Sequence, residues 1–506
     1  MTGHPIEVIG WTNLQGAQFA PAMQEPEAFT GAPDMEMVLI CRVAKADFSA
    51  INSTRPASRN KKGNFEVMAP RSLKKSNEQF KRALKSLPLG VSSNFRYWGE
   101  DKTIYVKKAK GARFWDIDDN EYIDYRLGYG PAILGYADDR VDAAVREGME
   151  VGGVFALATE LEAVVAERIQ KMVPAAELVR FSISGTEAVM AALRLARGYT
   201  GKDSYILVEG GYHGLHDATM WMAMVENMGP GDTVPSLEPF SKGVPSLVKQ
   251  LIHSVPLNDA DFLEDVLKKH GDKIGAFLIE PILGNSGGIT ASVDYVKAAR
   301  ELCDRYGVLM VIDEVKTGFR VARGGVQELM GVSADICTFA KALANGYPIS
   351  VVAGREEFMR KIGDTVAHGG TYTAHSVTIA AANKTLEILD ETDALEKIAN
   401  FGMKLQEGFS KILDARSVAH VWVGHSSMAG LFFCEEMPTN YRDWVRHDGT
   451  LYGTLAQHLH DLGILCEPDS REPWFICEAH EDGCLDETVS KFEIALDKAL
   501  AELGRS

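Results

Sequence analysis

Cysteine is scarce and unpaired in this chain. Its seven residues, Cys41, Cys303, Cys337, Cys434, Cys466, Cys477 and Cys484, fall at irregular spacing, and no Cys-x-x-Cys occurs. That excludes a disulfide framework, and a reducing cytoplasmic compartment is expected. No apolar run approaches the ~20 residues of a membrane-spanning helix. The opening residues lack the basic-then-apolar order of a secretory signal. Glu7, Glu25 and Glu27 precede the first arginine, Arg42, which is unlike an organellar transit peptide. Positive charge is in deficit: 53 Lys and Arg stand against 70 Asp and Glu, for a net charge of -17. Nucleic acid and anionic membranes are therefore not expected as partners, because both require a basic surface. Ser184-Gly185 lacks the preceding glycine of a serine hydrolase's elbow, and the chain has no internal repeat and no low-complexity tract. His213, His216 and Asp217 form a compact potential metal grouping, but no further ligand cluster follows and no metal is expected. His458 and His460 are expected at the surface of a helix.

What the chain does have is strand ends that carry reactive groups. With 506 residues, 46% hydrophobic and 24% charged, it has the composition of an ordinary globule with one large and one smaller domain. Asp335-Ile-Cys-Thr-Phe-Ala-Lys341 reads as a short core strand that ends in a lysine, with the Gly346-Tyr-Pro348 turn beyond it. Burial lowers a lysine's pKa and makes it a nucleophile for an aldehyde. Upstream, Val308 to Ile312 is a continuous apolar run, the mark of a strand covered on both faces, and Asp313 falls where it leaves the sheet. Asp313 either caps the next turn or faces the crevice at the carboxyl ends of the strands. An amine and a carboxylate in one crevice are the protein side of pyridoxal phosphate chemistry. The Leu178–Ser184 run predicts a strand that enters a helix at Gly185 and Thr186, a natural seat for a phosphate. That helix is expected to be stopped by Gly198 and Gly201. The next strand, 204–209, ends in Gly210-Gly-Tyr-His-Gly214. There Tyr212 can lie flat on a ring, and His213 is either a polar contact or a packed core histidine.

Taken together and in this order, the motifs resemble the class III (ω-) aminotransferases, enzymes of the fold type I pyridoxal phosphate group. The similarity is greatest to the glutamate-1-semialdehyde aminomutase branch and spans roughly residues 78–500. The resemblance implies an α/β fold with a mostly parallel sheet and pyridoxal 5'-phosphate as cofactor. It implies Lys341 as the Schiff-base lysine and proton shuttle, and Asp313 as partner of the pyridine nitrogen. Cofactor contacts fall on Ser184, Gly185, Thr186, Tyr212, His213 and Glu280. Gly370-Thr371 matches a Gly-Thr whose threonine reaches the neighbouring subunit's phosphate, so a homodimer with shared sites is implied. On the substrate side, Gly90-Val-Ser-Ser-Asn-Phe-Arg96 resembles the branch's carboxylate-binding segment. Asn285, in Glu280-Pro-Ile-Leu-Gly-Asn285, stands where other branches carry a gating glutamate, and Glu472 matches a glutamate of the branch. Departures occur at Gly135-Tyr-Ala-Asp138, Lys316, Ser350 and Thr373-Ala-His-Ser376. Weighing them, we expect ping-pong amino transfer between small amine and carbonyl substrates. The alternatives are an intramolecular 2,1-amino shift, an amino acid epimerase, or a cofactor-binding protein without turnover.

The expected organisation is an N-terminal extension over residues 1–75, a large cofactor-binding domain over 125–375, and a small α+β domain from 76–124 and 376–506. Within the extension, Met35 to Val43 is an apolar patch in search of a surface. Residues 52–63, polar and basic, read as a linker. A helix is expected near 72–86.

Overall fold

Alternation of apolar strands with amphipathic helices builds a seven-stranded sheet. The computed structural model describes residues 57–59, 65–67, 71–229 and 231–505. Across the sheet the strands are Ile252–Val255, Ser204–Val208, Ile274–Ile279, Leu309–Asp313, Ile336–Phe339, Ser350–Gly354 and Leu178–Ser182. Only Ser350–Gly354 runs antiparallel to its neighbours. Every residue of Ile274–Ile279 and Leu309–Asp313 is buried, as befits parallel strands with helices on both faces. This is the α/β fold with a mostly parallel sheet expected from the sequence. Its consequence for function is directional. The strands ending at Ser182, Val208, Asp313 and Phe339 all point their carboxyl ends to one edge, where open α/β sheets bind ligands.

The helix after the first of these strands, Gly185–Thr200, starts at a capping box in which Ser184 and Glu187 satisfy each other's backbone amides. It does not stop at Gly198. A Cβ there would lie 2.6 Å from Val366 Cγ2, so Gly198 serves close packing inside the helix. Gly201, at φ +68°, forms the left-handed end. Helix Asp139–Val151 packs on helix Ser376–Glu391. They meet at Gly148, where a side chain would collide with the Ser376 carbonyl at 2.8 Å.

Two smaller sheets flank the large one in sequence. One consists of Val106–Lys110, Arg113–Asp116, Glu121–Asp124 and Ile464–Leu465, so residues far apart in sequence complete it. The other is Val421–His425, Met428–Phe432 and Trp474–Phe475. Arg320 ties this second sheet to the rest. Its buried guanidinium donates to the carbonyls of Ser427 (3.2 Å), Ile476 (2.7 Å) and Gly130 (2.5 Å). Burial lowers its pKa to about 10.

Residues 55–506 make one compact unit. The expected helix spans Lys74–Ala83. The segment read as a linker contains a strand, Ala57–Arg59, which pairs antiparallel with Phe65–Val67; the nearby Phe65-Glu-Val67 run supplies the backbone partner. The Met35 to Val43 patch lies outside the described residues. His458 and His460 are not open surface groups: His458 pairs with Glu502 at 2.9 Å, and His460 stacks on Trp98 and meets the Cys466 carbonyl at 2.8 Å. Among the described residues no helix is long and apolar enough to cross a membrane.

Candidate active site

The strand ends open on one cavity of about 280 Å³, walled by Gly185, Thr186, Tyr212, His213, Asp313 and Lys341 among others. Lys341 lies two residues past strand Ile336–Phe339 and begins a 3-10 turn, Lys341–Ala344. Its φ of +43° is left-handed, a conformation that costs a non-glycine residue roughly 1–3 kcal/mol and collects at functional sites. Among the described residues no hydrogen bond holds its amine. Burial, then the ammonium of Lys316, lowers its pKa to about 8, against the pull of Glu472, Asp313 and Glu280. An amine so shifted is in part uncharged near neutral pH and is a competent nucleophile and proton acceptor.

Asp313 ends its strand buried. One carboxylate oxygen accepts from Thr338 Oγ1 at 3.0 Å and from the Val315 amide at 3.0 Å. The other is 2.8 Å from His213 Nδ1. An ionised carboxylate only accepts, so His213 Nδ1 carries the hydrogen. Burial opposes charge on the His213 ring, but the bond to Asp313 and its charge prevail and raise its pKa. Both sequence readings of Asp313 therefore hold: it caps the turn at Val315 and it faces the cavity. His213 Nε2 is buried without a partner among the described residues.

The other walls complete a cofactor seat. The amides of Gly185 and Thr186, at the helix start, make no hydrogen bond among the described residues, so they and the helix dipole are free for an anion. Ser184 lines the cavity, but its hydroxyl caps Glu187 N at 3.3 Å. Thr186 Oγ1 accepts from Leu215 N at 3.1 Å, which fixes the neighbouring loop. Tyr212 lines the same cavity, with its amide on Glu280 Oε1 at 2.9 Å. Glu280 Oε2 takes the Gly284 amide at 3.2 Å. Glu280 thus braces two loops with both oxygens, and burial raises its pKa. Pyridoxal phosphate fits this set. Free amides stand at one end, a carboxylate–histidine pair lies at the strand end, an aromatic ring walls the cavity, and an unbonded lysine lies within.

The substrate side is arranged differently from expectation. Arg96 is exposed in the short turn Asn94–Arg96 and is not in the cavity wall. Its neighbour Phe95 is the residue that packs, edge-on to Tyr129 at 6.1 Å, and in so tight a turn the next side chain points elsewhere. Thr371 is also exposed and away from this chain's cavity. Asn285 and Glu472 do come together: Asn285 Nδ2 donates to Glu472 Oε1 at 2.6 Å. The link from this pair to the cavity is Lys316, which the sequence marked only as a departure. Its buried Nζ is 2.6 Å from Glu472 Oε2 and 2.8 Å from the Gly284 carbonyl. A lysine three positions after a strand-end aspartate, in a turn that also carries Glu314 and Arg320, was the available signal. Thr338, the second support of Asp313, gave none: it is one more residue of an apolar strand.

Comparison with known proteins agrees with this geometry. The family model of class-III aminotransferases matches residues 97–491. Glutamate-1-semialdehyde 2,1-aminomutase of Methanothrix thermoacetophila is 37% identical over 426 residues, 84% of this chain and 97% of that protein. Among solved structures, an omega-transaminase from Sphaerobacter thermophilus superposes with a TM-score of 0.78 at 28% identity, over 83% of this chain and 97% of the other. A transaminase with pyridoxal phosphate bound gives 0.77 at 28%, over 86% and 100%.

Proposed function

The chain belongs to the class-III aminotransferase family and is a pyridoxal-phosphate-dependent enzyme, and from that premise we propose that it catalyses an intramolecular amino shift of the glutamate-1-semialdehyde 2,1-aminomutase type. This replaces the expectation that intermolecular transfer comes first. The observation that carries it is the relatedness to aminomutases along nearly their whole length: 37% over 97% of the Methanothrix protein, and 35% over 100% of the one from Methanobrevibacter smithii. The contact between Asn285 and Glu472, the two residues that resemble the branch on the substrate side, supports it.

In this reading the Gly185 and Thr186 amides would hold the cofactor phosphate, Tyr212 would cover the ring, Asp313 would pair with the pyridine nitrogen and Lys341 would hold the aldehyde carbon. Bound there, pyridoxal phosphate supplies the electron sink for the carbon–nitrogen centre. The chain's residues do the rest. Displaced from the cofactor by the substrate's amine, Lys341 Nζ would be free, as a weak base, to take a proton from the reacting carbon and return it. Asp313 keeps its charge oriented through Thr338, Val315 and His213. Glu280 holds Tyr212 against the cavity. Thr371, exposed on this chain, belongs in the reading to the neighbouring subunit's phosphate, so the active unit is a homodimer.

The test is to incubate the holoenzyme with glutamate-1-semialdehyde alone. Formation of 5-aminolevulinate, with no added donor or acceptor and no release of a deaminated oxo acid, is the expected result. A keto product that appears stoichiometrically with consumption of an added amino donor refutes the shift. That outcome favours the second reading, ping-pong transfer, which has its own support in the transaminase structures at 28% identity.

A further inference from the structure

Two lysines share the wall of one cavity, and only Lys341 has a task so far. Lys316 is seated with care. A Cβ at Gly284 would stand 2.1 Å from Lys316 Cδ and 3.1 Å from its Cε. Gly284 is not among the positive-φ glycines, so space for the Lys316 stem is what requires a glycine there. The ammonium is fixed at both ends of its reach, by the Gly284 carbonyl at 2.8 Å and Glu472 Oε2 at 2.6 Å. Glu472 is itself held by Asn285 through its other oxygen. Lys316 is 5% exposed and Glu472 9%. A buried ion pair of this kind adds little to folding stability, because desolvation offsets the attraction. An apolar side chain would fill the same place at no such cost.

We propose that Lys316 is a positioning residue for Lys341: its ammonium, clamped by Glu472 and the Gly284 carbonyl, is the fixed charge that opposes a second ammonium on Lys341 in their common cavity. The groups that face Lys341 define the balance. The carboxylates of Asp313, Glu280 and Glu472 favour a second ammonium, and Lys316 is the cation that opposes it. His213 offsets part of Asp313 from the next loop. Burial lowers the Lys341 pKa first and Lys316 adds to it; without Lys316 the three carboxylates would hold a larger share of Lys341 charged and unable to act as nucleophile or proton acceptor. Glu472 moderates the effect, since it lies against Lys316 and draws its field away. This inference rests on the reading of Lys341 as the amine that bonds the cofactor.

The experiment is a spectrophotometric pH titration of the purified holoenzyme, following the visible band of the lysine-bound cofactor. In Lys316→Met the midpoint should rise by about one pH unit, and in Lys316→Arg, which keeps the charge, it should stay within ~0.3 unit. Glu472→Gln should move it the other way, down by roughly half a unit, because the Lys316 charge is then unopposed. Opposite shifts from two halves of one ion pair are not what a structural role produces; that role would lower the melting temperature of both variants and leave the midpoint alone. If Lys316→Met does not fold, Lys316→Gln decides: a raised midpoint supports the proposal and an unchanged one overturns it. Unchanged midpoints in both overturn it as well. A visible, pH-dependent band that survives Lys341→Ala sinks the Lys341 reading itself, which separates the two failures.

Discussion

Replacing Asp313 by asparagine removes one charge and almost nothing else, so its effect can be worked out in advance. A unit charge about 4 Å from the pyridine nitrogen, at an effective dielectric of about 20, contributes about 4 kcal/mol to holding that nitrogen protonated. Lost in full from the transition state, that is about three decades in rate. The amide still offers a hydrogen bond, so a fall of about a hundred- to a thousand-fold is expected. The folded state should tolerate the change. Asparagine can turn its oxygen to His213 Nδ1 and its amide to Thr338 Oγ1, keeping both contacts. Only the Val315 amide then loses its acceptor, at a cost of about 1–3 kcal/mol. The assay is the steady-state rate with glutamate-1-semialdehyde, beside a thermal melt and the visible spectrum to show a folded protein with cofactor on Lys341. A folded, cofactor-loaded Asp313→Asn enzyme within tenfold of wild type would refute the electron-sink role of this carboxylate.

Other perturbations test other parts of the site and its scaffold. Lys341→Ala should abolish turnover while phosphate contacts at Gly185 and Thr186 still retain cofactor, measured by equilibrium dialysis; near-normal turnover removes the nucleophile assignment. Arg320→Met strands three buried carbonyls, Ser427, Ile476 and Gly130, and should cost about 3–6 kcal/mol in urea unfolding; a loss under about 1 kcal/mol contradicts its tying role. Glu314, buried among Thr317, Val326 and Gln327, has its pKa raised by burial to about 7. Because the folded value lies above the ordinary one, its contribution to stability is complete below about 4.5 and lost as pH rises through about 7. Wild type should therefore lose up to about 3 kcal/mol relative to Glu314→Gln between pH 5 and 8, and parallel stability curves for the two proteins would show the carboxyl to be ionised throughout.

Much of the site was legible because it sits where a strand ends. Lys341 and Asp313 each close an apolar run whose direction through the sheet follows from periodicity, and a parallel sheet then delivers both to one edge. The Gly185 helix start was legible for the same reason. Gly198 was misleading: a glycine that allows close packing looks, in one dimension, like a glycine that ends a helix. Arg96 is exposed in its short turn, and which side chain of that turn faces inward is set by packing against residues remote in sequence, as Phe95 packs on Tyr129.

The amino-acid sequence by itself determined the cofactor chemistry and the sheet that displays it, since these rest on short-range patterns: a strand period, a helix start, a residue at a terminus. The tertiary structure alone decided what surrounds the reactive amine. Lys316 and Glu472 lie 156 positions apart, and Gly284 and Asn285 reach them from another loop. Such a meeting is set by how whole loops pack over the sheet, and the charge it leaves beside Lys341 is a sum over distances that no local pattern encodes.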